Sequence, residues 1–348
     1  MSVFEKVSEL YRLNRPFVIF KKPNAQIVEL YEQFCDTLHP FTHSFAQNGF
    51  VLAPFNLQNG QAFLLKADRQ YAEALPLTEI QAPHQTDIPF DECEKQKHIA
   101  LVQKAINTMR ATDLNKVVIS RKITLPHKTH PINTFKQMVA RYTSAFCYLF
   151  SHPKIGIWLA ATPEKLLEAQ NGNFRTMALA GTQPANASDR YIWGEKERNE
   201  QQIVTEVIAK KLQRRVQALY LSEVKTVRAG NIVHLCTDIT GQLSITENPF
   251  EIAQVLHPTP AVCGFPDEAA KQFIIENEGY NRAFYCGYCG TTQKEIAAVD
   301  FYVNLRCMQI ETDSISIYVG GGILEDSNPQ SEWEETQNKA QTMFSILA

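Results

Sequence analysis

Beyond residue 94 the apolar runs of this chain succeed one another as strands, with helical periods set between them in blocks and not in strict alternation. A doubly wound parallel sheet needs a crossover helix after nearly every strand, so this order points to antiparallel sheets covered by helices, an α+β fold. Ile99, Val102, Ile106 and Met109 recur at helical spacing, and Val117 to Ile123 then reads as a β-branched strand that opens at Lys116. Further strands are expected over Cys147–Phe150, Ile155–Ala160, Phe174–Leu179, Phe284–Gly290, Ala298–Ile310 and Ser314–Gly320. Helices are expected over Glu195–Arg214, Asp267–Glu278 and Pro329–Leu347. Residues 1–90 mix short helical patterns with strand-like runs such as Phe50 to Phe55 and carry no recognisable chemistry.

At 348 residues the chain could hold one large core or two ordinary ones. No internal repeat and no Pro/Gly/Ser-rich linker marks a boundary, so residues 1–348 read as one domain, with 94–348 as the part that carries the chemistry. A net charge of −3 without any Lys/Arg-rich run leaves no electrostatic footprint for nucleic acid or an anionic membrane. Glu5, Lys6, Glu9, Arg12 and Arg15 interrupt the N-terminus, so no signal peptide or membrane span is expected there and the expected location is cytoplasmic. Eight scattered cysteines then read as free thiols. Cys286 and Cys289 have CxxC spacing but lack a second ligand pair, and they read as buried thiols in a strand. Gly320-Gly321-Gly322 lacks the spacing and the following βαβ unit of a dinucleotide loop.

Two helices carry acids three residues apart: Glu197 and Glu200 on one, Glu332 and Glu335 on the other, each pair beside apolar positions. Facing each other, such pairs would make an oxygen-rich site suited to a hard cation that keeps open positions for an anionic ligand. First-turn glutamates also complement helix dipoles while facing water, so spacing alone leaves both readings open. Lys116 reads equally as a solvated strand-end lysine, and His234 as a core histidine on an apolar strand.

Ten segments change that balance. They are Lys116-Val117-Val118-Ile119-Ser120-Arg121, Thr162-Pro163-Glu164-Lys165-Leu166-Leu167, Leu179-Ala180-Gly181-Thr182, Glu197-Arg198-Asn199-Glu200, Val233-His234-Leu235, Leu256 through Pro266, Tyr285-Cys286-Gly287, Asn304-Leu305-Arg306, Gly320-Gly321-Gly322-Ile323 and Glu332-Trp333-Glu334-Glu335-Thr336. In content and order they resemble the chorismate-utilising enzymes, which include isochorismate synthases, salicylate synthases and the component I subunits of anthranilate and aminodeoxychorismate synthase. The resemblance runs from about Lys116 to the C-terminus. It implies one large chorismate-binding domain of two packed antiparallel sheets with helices outside. It also implies Mg2+ on Glu200 and Glu335, with Glu197 and Glu332 behind them holding waters. Arg306 and Tyr285 match residues that bind the enolpyruvyl carboxylate, a task suited to a planar guanidinium. Gly321 and Gly322 would let backbone amides approach the substrate, while His234, Ala180, Gly181 and Thr182 would line the pocket near the ring.

Lys116 matches the lysine carried by family members that attack the ring with water, and Leu179-Ala180-Gly181-Thr182 reads as the water-using variant. The resemblance therefore implies isomerisation of chorismate to isochorismate, a reaction used in menaquinone and siderophore biosynthesis. Lys116 would be the general base, which must be neutral at the moment of attack, a state open to lysine and not to arginine. Glu164 matches the general acid, and it can donate a proton near neutral pH only if burial keeps it protonated. Salicylate synthase is the main alternative: its members tend to carry threonine where Ala261 stands here, although Tyr285 is found in both kinds. An amine-transferring component I and an inactive binding homologue are the remaining alternatives. The chain departs from the family at Gln183-Pro184, near which many relatives have arginine, and at Gln201, where histidine commonly follows the glutamate. No obligate protein partner is expected.

Overall fold

A computed structural model describes residues 1–347 apart from 43, 46, 76–87, 89, 90, 127, 128 and 245. Among the described residues the strands form two sheets in which every strand pair is antiparallel. The first runs Gly264–Phe265, Lys116–Pro126, Ser314–Ile323, Cys307–Ile310, Gly156–Thr162, Phe146–His152, Phe17–Lys21, Ile27–Glu32, Arg69–Ala74. The second runs Val216–Leu221, Ile232–Leu243, Asn173–Pro184, Lys165–Gln170, Ala298–Val303, Tyr288–Gln293, Gly49–Ala53, Phe63–Lys66, His39–Pro40, with Lys225–Ala229 also paired to Ile232–Leu243. The N-terminal residues thus supply strands to both sheets. The boundary expected near residue 90 falls on residues outside those described.

Strand periodicity explains the layering. Phe146, Tyr148 and Phe150 point into one core with Phe50, Phe174 and Phe301 of the second sheet, while Cys147 and Leu149 enter another core with the helices Val3–Arg12 and Pro131–Arg141. Phe146 and Tyr302 stack across the sheets with centroids 4.2 Å apart. Because the first sheet is covered on both faces, its central strands lack polar alternation and read as unbroken apolar runs. The helices Glu195–Gln213 and Pro329–Phe344 begin as their sequences direct. Glu197 reaches back to the Gly194 N–H at 3.1 Å, and Asn328 accepts from the Gln330 and Ser331 N–H groups with Pro329 in the first turn. Among the described residues no helix is long and apolar enough to cross a membrane.

Three expectations need correction. Ala298–Ile310 is two strands, Ala298–Val303 in the second sheet and Cys307–Ile310 in the first, broken at Arg306 with φ +48°. Phe284 to Gly287 is a turn with Cys286 at φ +60°, and the strand starts at Tyr288. Cys286 therefore lies in a turn while Cys289 lies in the sheet, both as buried free thiols. The last helix ends at Phe344, three residues before the expected Leu347.

Candidate active site

Glu164 and Arg306 both stand where the chain steps from one sheet to the other. Gly156–Thr162 pairs with Cys307–Ile310 in the first sheet, and Lys165–Gln170 with Ala298–Val303 in the second. The two crossings are tied to each other: Val303 N–H donates to Glu164 O (3.0 Å), Ala161 N–H to Arg306 O (3.1 Å), and Thr162 Oγ1 to Val303 O (2.6 Å). A carboxyl and a guanidinium are thereby held in the space between the layers, where each is largely withdrawn from water.

Burial pushes the Glu164 carboxyl up to about 7, against the opposing pulls of its hydrogen bond from Thr259 (Oγ1 to Oε1, 3.2 Å) and of the Lys116 and Arg306 charges. That is the direction a proton donor at neutral pH requires. Lys116 opens its strand fully buried, with Nζ 3.1 Å from Glu200 Oε1 but outside hydrogen-bond alignment. Against the upward push of burial, Lys116, Lys339 and Lys196 hold Glu200 below the ordinary carboxylate range.

Asn173–Pro184 bulges between Ala180 and Thr182, and Gly181 at the bulge has φ +72°. Its N–H donates to Glu200 Oε2 (3.2 Å) and its carbonyl accepts from His234 Nδ1 (3.0 Å), with Thr182 Oγ1 3.2 Å from the same nitrogen. His234 Nε2 then accepts from Arg306 Nη2 at 3.1 Å. Burial and the Arg306 charge keep His234 well below its ordinary value, which matches a neutral ring with its proton on Nδ1, as this bonding assigns. Arg306 Nε has no partner, and burial lowers the guanidinium below its usual range despite nearby Tyr285, Glu335 and Glu164. Tyr285 stacks on Tyr318 at 5.5 Å, with its hydroxyl 2.9 Å from where a Cβ on Gly320 would sit. Ala261 is half-buried against the same core.

The four acids do not play equal parts. Glu332 is buried, its Oε1 2.5 Å from Lys196 Nζ and its Oε2 without a hydrogen-bond donor. Burial first and Glu335 second raise it to about 6. Glu335 pairs with Lys339 at 2.6 Å, and Lys339 also donates to Gly320 O (2.9 Å). A Cβ on Gly321 would meet both Glu332 and Glu335 at 3.3 Å, and one on Gly322 would lie 2.1 Å from Glu200 Oε1. The Gly321-Gly322 backbone therefore runs against the acids of the two helix starts, where an added side chain would have to push a carboxylate aside. Glu197 turns away to its own helix terminus. Among the described residues no three acid, histidine or cysteine side chains are close enough to hold a metal directly, because lysines stand between the acids. The donor set still fits a hard cation: Glu200, Glu332 and Glu335 offer carboxylate oxygens, one of them buried and unsatisfied, and all three act on the Lys196 ammonium. Lys196 and Lys339 do not figure among the sequence-predicted residues, and Thr259 stands there only inside the Leu256–Pro266 segment, without a role. Lys339 was legible as the i+4 partner of Glu335, whereas the other two contacts are long-range.

A family model described as chorismate binding enzyme matches residues 55–348, well upstream of the Lys116 segment. Isochorismate synthase EntC of Escherichia coli (strain K12) is 29% identical over 305 residues, 84% of this chain and 75% of that protein. Isochorismate synthase MenF of the same strain is 32% identical over 258 residues, 71% of this chain and 59% of that one. The solved structure of MenF, the menaquinone-specific isochorismate synthase from Escherichia coli, superposes with TM-score 0.80 at 21% identity, covering 96% of this chain and 89% of that one. With the family model spanning most of the chain and two antiparallel sheets carrying strands from the first to the last of the matched residues, this chain belongs to the chorismate-binding enzyme family.

Proposed function

We propose that this protein is an isochorismate synthase that isomerises chorismate by adding water at one ring carbon and expelling the hydroxyl from another. The observation that carries the reading is the buried Glu164, held near pH 7 within reach of the Lys116 and Arg306 charges. Lys116 takes a proton from the attacking water as its oxygen bonds to the ring. Glu164 gives a proton to the departing hydroxyl as that carbon–oxygen bond breaks, so the atoms of chorismate and isochorismate balance. Proton return from Lys116 to Glu164 through solvent resets the site. Arg306 grips the enolpyruvyl carboxylate, and neutral His234 holds the guanidinium in place without adding a competing charge. Magnesium held by Glu200 and Glu335, with Glu332 behind them, would neutralise and hold the ring carboxylate. Catalysis then rests on two groups with opposite tasks, a protonated Glu164 that gives a proton and a Lys116 that takes one.

Alanine at 261 offers no hydroxyl to orient the enolpyruvyl group for elimination, so isochorismate is the expected released product. The test is chromatography of the products from chorismate and magnesium, with and without ammonium salt, alongside coupled pyruvate detection. Isochorismate accumulating without pyruvate, unaffected by ammonium, supports the reading. Pyruvate forming in step with chorismate loss would move the assignment to salicylate synthase, and an ammonium-dependent amino product to an amine-transferring subunit.

A further inference from the structure

We propose that Thr259 is the positioning residue of the proton donor: its hydroxyl fixes one oxygen of Glu164 and so leaves the other, Oε2, to carry the proton toward the substrate. This rests on the assignment of Glu164 as general acid. The Glu164 main chain is pinned by Val303 N–H on its carbonyl and by its own N–H on Thr162 Oγ1 at 3.3 Å. Its side chain still has three rotatable bonds, and a carboxylic acid can hold its proton on either oxygen. Thr259 Oγ1 donates to Oε1 at 3.2 Å, and each residue is only 2% exposed. With Oε1 committed as acceptor, the neutral acid carries its proton on Oε2.

Thr259 is itself firmly placed. Its carbonyl accepts from the Val262 and Cys263 N–H groups, each at 3.0 Å, and prolines flank it on both sides. Cys263 O accepts from Val118 N–H at 2.7 Å, while Arg282 donates to Val262 O (2.9 Å) and Val118 O (2.7 Å). Val118 lies two residues from Lys116 on one strand. Thr259 therefore refers the proton donor to the same strand that carries the base, and the distance between the two groups that act on the ring is set through it.

The test compares Thr259→Val, which keeps the shape and loses the hydroxyl, with Thr259→Ser, which keeps the hydroxyl, and with Glu164→Gln. Melting curves on all three identify any variant that fails to fold, and the serine variant then carries the comparison. For Thr259→Val we expect kcat to fall at least tenfold with KM within about threefold of wild type, since a misaligned donor harms the transition state more than ground-state binding. Loss of a bond that favours the ionised carboxylate also moves the alkaline limb of the pH profile upward. Thr259→Ser should restore both. An unchanged kcat and limb in Thr259→Val, or a rise in KM alone, overturns the inference while an inactive Glu164→Gln keeps Glu164 as the acid. A Glu164→Gln variant with normal turnover removes the reading on which the inference rests. A Thr259→Ser variant that folds but does not recover the limb equally overturns it.

Discussion

A carboxyl that delivers a proton near neutral pH must be withheld from water without being given a cation of its own, and Glu164 meets both conditions. Its ordinary value near 4.5 rises to about 7 through burial, and Lys116 and Arg306 act on it from a distance without forming an ion pair. The active form is the protonated one, so kcat/KM should fall as pH rises through about 7, and Glu164→Gln should abolish turnover at every pH. The same shift bears on stability. Because the folded value lies above the unfolded one, the contribution of neutral Glu164 is complete below about 4.5 and is lost as pH rises through about 7. Glu164→Gln should therefore be more stable than wild type by up to about 3 kcal/mol on the alkaline side, measured by denaturant titration at several pH values. Lys116→Ala should cost on the order of 10²–10⁴ in kcat while chorismate still binds, as calorimetry would register. A smaller loss would point to another base. Glu164 was readable in the sequence as an acid needing burial, whereas Thr259 was not. The pairing of Thr259 with Glu164 spans 95 positions and has no local period to betray it.

At the scale of elements, what was legible is what local rules govern. The helices starting at Glu195 and Pro329 follow from apolar spacing and their capping residues, and they deliver Glu200, Glu332 and Glu335 to one place. What was hidden is where a strand ends inside a stretch that keeps strand spacing. Ala298 to Ile310 reads as one strand, with Asn304 and Arg306 two positions apart as in a strand, yet Asn304-Leu305-Arg306 turns it from one sheet into the other, with a positive φ at Arg306. Phe284 to Gly287 misled in the same way, since burial on all sides removes the polar alternation that would announce a turn. The acids at the helix starts yield a prediction of this scale. Glu200→Gln and Glu335→Gln should each raise the magnesium concentration at half-maximal activity by tenfold or more, with melting temperatures little changed, because each residue is partly exposed and removes one anionic ligand. Unchanged midpoints in both would remove them from the metal site.

Across the whole molecule, the site exists because the chain crosses twice from one sheet to the other, at residues 163–164 and 304–306, and the two crossings are bonded to each other. The junction is secured by Thr162, whose hydroxyl donates to Val303 O and accepts from Glu164 N–H. Thr162→Val leaves the buried Glu164 N–H unpaired, at a cost of about 1–3 kcal/mol, and removes one of the two hydrogen bonds to Val303 O, which keeps the one from Leu305 N–H, so it should lower the melting temperature and kcat together. No such coupling is expected on the remote strand Arg69–Ala74. The general α+β class and the core beyond residue 94 were visible in the order of strands and helices. The first 90 residues were not, since their part is to complete the edges of both sheets and they carry none of the ten segments.

The central claim is that water, deprotonated by Lys116, supplies the hydroxyl found in the product while Glu164 expels the original one. It is tested most directly by running the reaction on chorismate with magnesium in oxygen-18-enriched water and weighing the isochorismate by mass spectrometry. Product carrying one solvent oxygen, with unreacted chorismate unlabelled early in the reaction, is the predicted result. Isochorismate formed without solvent oxygen would contradict it, because the hydroxyl would then have moved within the molecule and neither the base nor the acid would have the work assigned to it.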